Sequence, residues 1–311
     1  MAADWMVKAF RLFVFGLILL LVSGCKETST IDFDKNTAVS PHRISTIKIE
    51  GYVNRLFIDL VGRSPLDSEL ARETDYLKEN NLSKAAREAI VTKLQTDESP
   101  VEGDSSYKIA YYERLYIVIK SRMVEGADNS EFSRFIGNAS SALVKARLNG
   151  DSIGVFRAME IIERNQNVID AKYDYRNGDI TINQVFERML NNGVYDVINM
   201  NTFNFVNASF DDLFYRFPTQ EEFDAAFAII ERNEVSGILG GFAGNKAEYC
   251  QVLCSSDEFY EGLIHWTYLT LLGRQPTTQE VVNHFEDLVT TGDFQALQKA
   301  ILITDEYADF R

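Results

Sequence analysis

Three segments of the chain align without gaps, and in each an arginine stands two residues before a proline. The segments span residues 52–65, 205–218 and 263–276. The shared residues are Arg63 and Pro65, Arg216 and Pro218, and Arg274 and Pro276. Proline has no N–H and its ring clashes with the preceding helical turn, so it cannot continue a helix. Each segment is therefore predicted to be a helix that ends in a tight turn, and this internal repeat constrains the fold strongly.

The residues around the turn support this interpretation. Gly62 and Gly273 precede the arginine in the first and third copies and can adopt the left-handed conformation that ends a helix. Tyr215 takes this position in the second copy. Two of the turns are followed by capping-box pairs that would start the next helix, namely Thr219 with Glu222 and Thr277 with Glu280.

Each copy continues with an acidic helix and closes on a similar Asp-Glu phrase. These phrases are Asp97-Glu98, Asp257-Glu258 and Asp305-Glu306. An arginine at a helix C-terminus can cap carbonyl groups and bind a carboxylate through two hydrogen bonds. We predict that Arg63, Arg216 and Arg274 each pair with an acidic residue of their own copy and have a structural role.

Apolar residues recur with helical spacing through nearly all of the chain after residue 50. Only 46–50, where Ile47 and Ile49 alternate with polar residues, is predicted as a short strand. The fold class is all-α: a multi-helix, orthogonal or bundle-like body with three helix-turn-helix repeat units, after a cleaved signal peptide. The predicted divisions are a signal peptide (1–24), a polar tether (25–41), repeat unit 1 (42–103), a helical insert (104–201), repeat unit 2 (202–262) and repeat unit 3 (263–311).

The turn resembles the Asp-Leu-x-Gly-Arg-x-Pro helix ending of two families of helical domains. One is found beside cytochrome c modules in planctomycete-type surface proteins, and the other is the phycobilisome-linker-like domain of secreted bacterial proteins. The closest match is Leu56–Pro65, whereas the second copy lacks the glycine and the third has Thr270 in place of the aspartate. These families are scaffold-like, so the resemblance implies an architecture more than an activity.

The N-terminus has the order of a bacterial lipoprotein signal. Lys8 and Arg11 precede an apolar run at 12–22, which would cover about 16 Å as a helix and is too short to cross a bilayer. Ser23 and Gly24 then precede Cys25. This order resembles a lipobox, which implies cleavage after Gly24 and a lipid-modified Cys25 that anchors the chain in a bilayer.

The residue after Cys25 is Lys26. By resemblance to other lipoproteins, it is not the aspartate that retains some of them in the inner membrane. We therefore expect a location at the outer membrane, on its periplasmic face or at the cell surface.

The charge of the chain argues against nucleic acid as a partner. The formal net charge is −15, and loss of residues 1–24 would remove one acidic and two basic residues, leaving about −16. Such a chain repels phosphate backbones and anionic lipid alike. The acyl chains on Cys25 are therefore expected to provide the membrane attachment.

Few residues suggest chemistry. The remaining cysteines, Cys250 and Cys254, are expected to be two buried apolar residues, with a disulfide as the alternative. The segment 173–184 resembles a calcium loop but has tyrosines at ligand positions, so a turn before a helix near Thr181 is favoured. The tyrosine stripe of the insert is expected to be core in preference to a sugar-binding platform, and comprises Tyr107, Tyr111, Tyr112 and Tyr116.

The glycine-rich stretch 237–246 lacks the spacing of a phosphate-binding loop. It is predicted to be an exposed loop, and Gly240, Gly241 and Phe242 are its candidate partner-binding residues. The chain has three histidines and no His-x-x-x-His or Gly-x-Ser-x-Gly motif, so we assign no catalytic residue, metal ligand or cofactor.

These observations favour a non-enzymatic lipoprotein that binds or scaffolds other envelope proteins. One alternative is an envelope glycan-acting enzyme that uses paired carboxylates, which requires a groove with two carboxylates about 5–10 Å apart. A second alternative is an accessory partner of surface redox proteins, as the resembling family implies.

Overall fold

Helices make up nearly all of the regular structure of residues 44–310, the part of the chain that this computed structural model describes. This range contains 15 helices and one two-stranded antiparallel hairpin. The predicted all-α class is confirmed. Cys25, the signal peptide and the predicted tether lie outside the described residues.

The repeat is a set of three helices, and the second copy carries the hairpin between its second and third helix. The first copy contains α1 (Thr46–Leu60), α2 (Asp67–Glu79) and α3 (Lys84–Thr96). The insert contains α4 (Tyr107–Met123), α5 (Asn129–Leu148), α6 (Ser152–Asn177), α7 (Ile182–Leu190) and α8 (Gly193–Ile198). The second copy contains α9 (Thr202–Phe214), α10 (Gln220–Arg232), β1 (Ser236–Ile238), β2 (Gly241–Ala243) and α11 (Lys246–Ser255). The third contains α12 (Asp257–Leu272), α13 (Thr278–Thr291) and α14 (Phe294–Leu302), and α15 (Asp305–Ala308) follows it.

The strand predicted at 46–50 is wrong, because these residues form the first turn of α1. Ser45 caps this helix by accepting a hydrogen bond from the Lys48 N–H. Ile49 then continues with Val53 and Leu56 as one buried face at helical spacing. The short alternation at Ile47 and Ile49 was outweighed by this longer period.

The turn arginine binds a glutamate six residues later in the same way in all three copies. In the second copy, Arg216 donates from both terminal nitrogens to the two carboxylate oxygens of Glu222, at 2.8 and 2.7 Å. Its Nη1 also donates to the carbonyl of Phe217, which holds the chain in the turn. The same contacts join Arg63 to Glu69 and Arg274 to Glu280. The predicted pairing of each arginine within its own copy is confirmed.

The same glutamate starts the next helix. Glu222 accepts the N–H of Thr219, while the Thr219 hydroxyl accepts the N–H of Glu222, so the predicted capping box is present. The pair Thr277 and Glu280 repeats it. In the first copy the cap position is Leu66, whose side chain accepts nothing, yet its N–H still donates to Glu69 at 2.7 Å. One carboxylate therefore fixes the end of one helix and the beginning of the next.

A second carboxylate completes each arginine contact, and here the first copy differs. Glu258 and Glu306 bind Arg216 and Arg274 from the first turn of the helix that follows the copy. Glu98 of the first copy does not make this contact, since it pairs with Lys108. Asp104 lies in the connection to the insert and takes the place of Glu98 against Arg63, with a distance of 2.6 Å.

The left-handed turn conformation occurs in every copy. Gly62 and Gly273 have φ angles of 82° and 67°, as glycine allows. Tyr215 adopts φ 60° in the second copy although it has a Cβ atom. The Arg122 guanidinium lies 4.3 Å from the centre of the Tyr215 ring and holds the side chain in place.

The copies and the insert share one hydrophobic core. Tyr52 of α1 donates to the carbonyl of Leu302 in the third copy, and Tyr111 of the insert donates to Gln298. The tyrosine stripe is core, as predicted, because Tyr107, Tyr111 and Tyr116 are buried and Tyr112 is half-buried.

α9 and α12 cross closely at Gly262, where a Cβ atom would lie 1.9 Å from the Leu213 carbonyl oxygen. Any larger residue at this position would push the two copies apart.

Two smaller predictions are also confirmed. Cys250 and Cys254 are free and fully buried, and burial raises the pKa of the Cys250 thiol to about 12. Gly178 ends α6 in the left-handed conformation, and Thr181 caps α7, so 173–184 contains the expected turn before a helix. Within residues 44–310, no helix combines the length and the apolar character needed to cross a bilayer.

We call each turn arginine with the glutamate six residues later a clamp. The pKa values of these glutamates make the stability that the clamp provides depend on pH. Hydrogen bonding to Arg216 lowers the pKa of Glu222 to about 2. Burial alone would raise the pKa of Glu69, but hydrogen bonds from Arg63, Tyr107 and the Leu66 N–H together lower it to about 2. A carboxylate with a lowered pKa stabilises the fold above the ordinary value of 4.5. That contribution is lost as the pH falls from about 4.5 to about 2.

We predict that Glu69→Gln lowers the free energy of unfolding by about 3 kcal/mol at pH 7, because it removes a buried charge that binds Arg63 and accepts the hydroxyl of buried Tyr107. The matched variant Glu280→Gln should lower it by about 1 kcal/mol, because the Glu280 pair is partly exposed. Urea unfolding measures both values, and the difference between the Glu69→Gln variant and the unsubstituted chain should shrink below pH 4. Equal losses for the two variants at pH 7 would contradict this ranking.

Candidate functional site

The predicted partner loop forms an ordered β-hairpin. β1 and β2 pair in antiparallel register, with Gly237 opposite Phe242, and Leu239 and Gly240 form the turn with positive φ angles. Ile238 and Ala243 are buried, whereas Phe242 is 77 % exposed. Alternation along the strands therefore places the Phe242 ring on the outer face.

A surface cavity lies between the hairpin and the beginning of α10. Its volume is about 300 Å³, and Glu221, Glu222 and residues 237–242 line it. Gly241 packs against α11, where a Cβ atom would approach the Val252 Cγ1 atom to 2.8 Å. Of the three predicted residues, Gly241 is thus required by packing, and Gly240 and Phe242 face outward.

A second apolar surface lies on α9 and α10 of the second copy. We call Phe203, Phe223 and Phe227 the aromatic patch. The ring centres of Phe203 and Phe223 are 5.4 Å apart, and those of Phe223 and Phe227 are 6.3 Å apart. Phe203 is 62 % exposed, and Phe227 is exposed as well. Aromatic rings in contact with one another and with water are typical of a binding surface.

The sister copies show that the fold does not require Phe203. Two residues before the aligned segment, the first copy has Glu50 and the third has Glu261. All three positions lie in a helix, so the helix forms with a charged residue there. The same comparison holds at exposed Phe217, which is replaced by Ser64 and Gln275 in the other copies. The second copy therefore exposes phenylalanine at two positions where the other copies have polar residues.

A third exposed apolar set lies near the turn between α5 and α6. It comprises Val144, Leu148, Ile153, Phe156 and Met159. Phe156 and Met159 follow the helical period that usually indicates a core face. Both are more than half exposed, so the apolar period does not mark a core face at these residues.

The aspartate of the repeated motif is half-buried and bound by a tyrosine in two copies. Asp59 accepts the Tyr307 hydroxyl at 2.7 Å, and burial raises the pKa of Asp59 above its ordinary value. Asp59 lines a cavity of about 30 Å³ together with Arg114 and Thr270. A space of this size holds about one water molecule, and a sugar ring is far larger.

Asp212 occupies the equivalent position in the second copy. It accepts the hydroxyl of fully buried Tyr195 at 2.9 Å. Burial raises its pKa to about 6, against the opposing effects of the Tyr195 hydrogen bond and the Arg122 charge. Arg122 also donates to the carbonyls of Asp211 and Asp212 and caps the end of α9. Asp59 and Asp212 thus have separate tyrosine partners and help to hold their helices.

The structure brings the predicted turn residues together in three separate clamps, and it places the partner-loop residues on the hairpin. In the part of the chain from Ile44 to Phe310, no three His, Cys, Asp or Glu side chains converge as a metal site. The aromatic patch was missed from sequence because Phe223 and Phe227 follow a core-like period. A comparison of Phe203 with Glu50 and Glu261 would have detected it.

No protein family, curated protein or solved structure matches the chain in the three comparisons. The resemblance of the turn to the two helical domain families remains a prediction.

The raised pKa of Asp212 predicts a pH-dependent effect of its removal. A carboxyl group whose pKa is raised favours the folded state below its ordinary pKa of 3.8, and this contribution is lost as the pH rises through about 6. We expect Asp212→Asn to be more stable, relative to the unsubstituted chain, at pH 7 than at pH 4, by on the order of 2 kcal/mol.

Urea unfolding at the two pH values measures this difference. Asn207→Gln on the same helix provides the matched control, since it adds and removes no ionisable group and should shift stability equally at both pH values. A pH-independent effect of Asp212→Asn would show that the buried carboxyl is not the titrating group.

Proposed function

We propose that this protein is a lipid-anchored envelope lipoprotein whose helical body binds another envelope protein as a scaffold component. Acylated Cys25 provides the anchor and places the protein at the outer membrane. The partner contacts the aromatic patch of the second copy.

The observation that carries this proposal is Phe203. Packing does not require an aromatic ring there, because Glu50 and Glu261 stand at the same position in the sister copies. The ring is mostly exposed, and it contacts Phe223 to extend the apolar surface onto α10. Aromatic residues are enriched at the centre of protein interfaces, where they contribute much of the binding energy.

The clamps supply the rigidity that such a surface needs. α9 and α10 carry the patch, and they are joined by the turn in which Arg216 binds Glu222 and Glu258. The patch is therefore held between two helices whose relative orientation is fixed by a charged cluster. A preformed surface loses little conformational entropy on binding.

Crosslinked capture of the lipidated protein from its native membrane tests the proposal. We expect Phe203→Glu, which installs the residue of the sister copies, to reduce partner capture by roughly 30-fold, as for a central interface aromatic residue. Val282→Glu is the matched control on α13, since Val282 is equally exposed and belongs to the third copy. It should leave capture unchanged.

Equal capture by the Phe203→Glu variant would contradict the assigned surface. Recovery of no protein partner, together with turnover of cell-wall glycan by the purified protein, would instead favour the glycan-acting enzyme. Replacement of Cys25 by serine should release the protein from the membrane fraction in a high-salt wash, and retention after that wash would contradict the anchor.

A further inference from the structure

Helices α5 and α6 form an antiparallel hairpin that extends past the main core. Phe132 near its base and Val168 on α6 belong to that core, whereas the buried alanines farther out do not. Among the described residues, the side-chain hydrogen bonds of 137–163 stay within these two helices. From Gly137 to Leu148 the extension is about 18 Å long. We call residues 137–163 the arm.

The arm is held together by alanines, which leaves its larger side chains outside. Ala139, Ala146 and Ala158 are the buried residues of the arm. The helices approach closely, since a Cβ atom on Gly154 would lie 3.1 Å from the Ala146 Cβ. At this point the seam has no room for a large side chain, and Leu143 and Val155 are only half-buried beside it. The five large apolar side chains near the α5–α6 turn are therefore 51–83 % exposed.

The end of the arm also differs in charge from the rest of the protein. We call residues 143–159 the arm tip. It contains three exposed cations, Lys145, Arg147 and Arg157, and one carboxylate, Asp151. Asp151 accepts the N–H of Gly154 at the start of α6. The arm tip thus combines a formal charge of +2 with exposed apolar residues, on a chain whose formal net charge is −15, and the exposed carboxylates Glu160 and Glu163 of the arm lie farther from the turn.

We infer that the arm tip docks on an anionic lipid bilayer as a second membrane contact. Leu148, Ile153 and Phe156 enter the boundary between headgroups and acyl chains, and the three cations pair with lipid phosphates. The charge complements a lipid surface. A symmetric contact between two arm tips would bring like charges together, which disfavours self-association through paired tips.

This inference rests on the proposed anchor at Cys25. Residues 26–43 separate that cysteine from the described body and span at most about 65 Å. A tether of this length would keep the described body within reach of the bilayer and raise its effective concentration there. One acyl signal binds a membrane reversibly, and a basic apolar surface is the kind of second signal that makes attachment stable. The remainder of the body is acidic and cannot supply this second signal.

An indole placed at the arm tip tests the contact in the lipidated, full-length protein. Phe156→Trp is reconstituted in vesicles that contain phosphatidylglycerol and brominated acyl chains. Trp266 is buried, so the spectrum of the unsubstituted protein can be subtracted. We expect the new indole emission to shift to shorter wavelength and to be quenched by bromine. Both effects should be lost when Lys145, Arg147 and Arg157 are all replaced by glutamate.

Val282→Trp provides the matched control at an equally exposed position on α13, and its emission should be unquenched. An unquenched Phe156→Trp indole in protein that still floats with the vesicles would overturn the inference and leave the anchor intact. An emission shift without vesicles that grows with protein concentration would assign the arm tip to a second copy and also overturn it. Unmodified Cys25 by mass spectrometry would contradict the anchor alone, and quenching after addition of vesicles would still support the arm-tip contact.

Discussion

The two-pronged contact between each turn arginine and the glutamate six residues later is the interaction on which the rest of the fold depends. In the second copy, Glu222 binds Arg216 and accepts the N–H of Thr219, so a single carboxylate sets both the exit of α9 and the start of α10. Charge-assisted hydrogen bonds of this kind are stronger than neutral ones and are geometrically specific. The same arrangement in all three copies gives three helix pairs of the same local geometry, around which the insert packs.

Because the clamp is repeated, the copies serve as internal controls for one another. Features that all three share, such as the arginine and its glutamate, are needed by the turn. Features confined to one copy must have another cause, and Phe203 against Glu50 and Glu261 is the clearest case. The aspartate of the repeated motif is present in two of the three copies, where Asp59 and Asp212 each accept a tyrosine hydroxyl. This comparison indicates that the repeated turn serves stability, and the exposed rings of the second copy, which the turn does not need, form the proposed binding surface.

Much of the fold could be predicted from the sequence because its signals are local. The turn, the two capping boxes and the pairing of Arg216 with an acidic residue all depend on residues within one short segment. Contacts made over longer distances could not be predicted in this way. Asp104 replaces Glu98 beside Arg63 because the connection to the insert brings it there. The exposure of Phe156 could not be predicted either, because helical spacing shows that a helix face is apolar but does not show whether another element covers that face.

The account is tested most directly by hydrogen–deuterium exchange at the backbone N–H groups of Leu66, Thr219 and Thr277. These three groups lie in turns, where exchange is ordinarily fast, yet each donates to the glutamate of its clamp at 2.7 Å. If the clamps hold the helix pairs, these amides exchange only when the surrounding helices open, at rates close to those of the core amides of α1, α9 and α12. Exchange at the rate of an exposed loop in all three turns would contradict the claim that the fold depends on the arginine–glutamate contact.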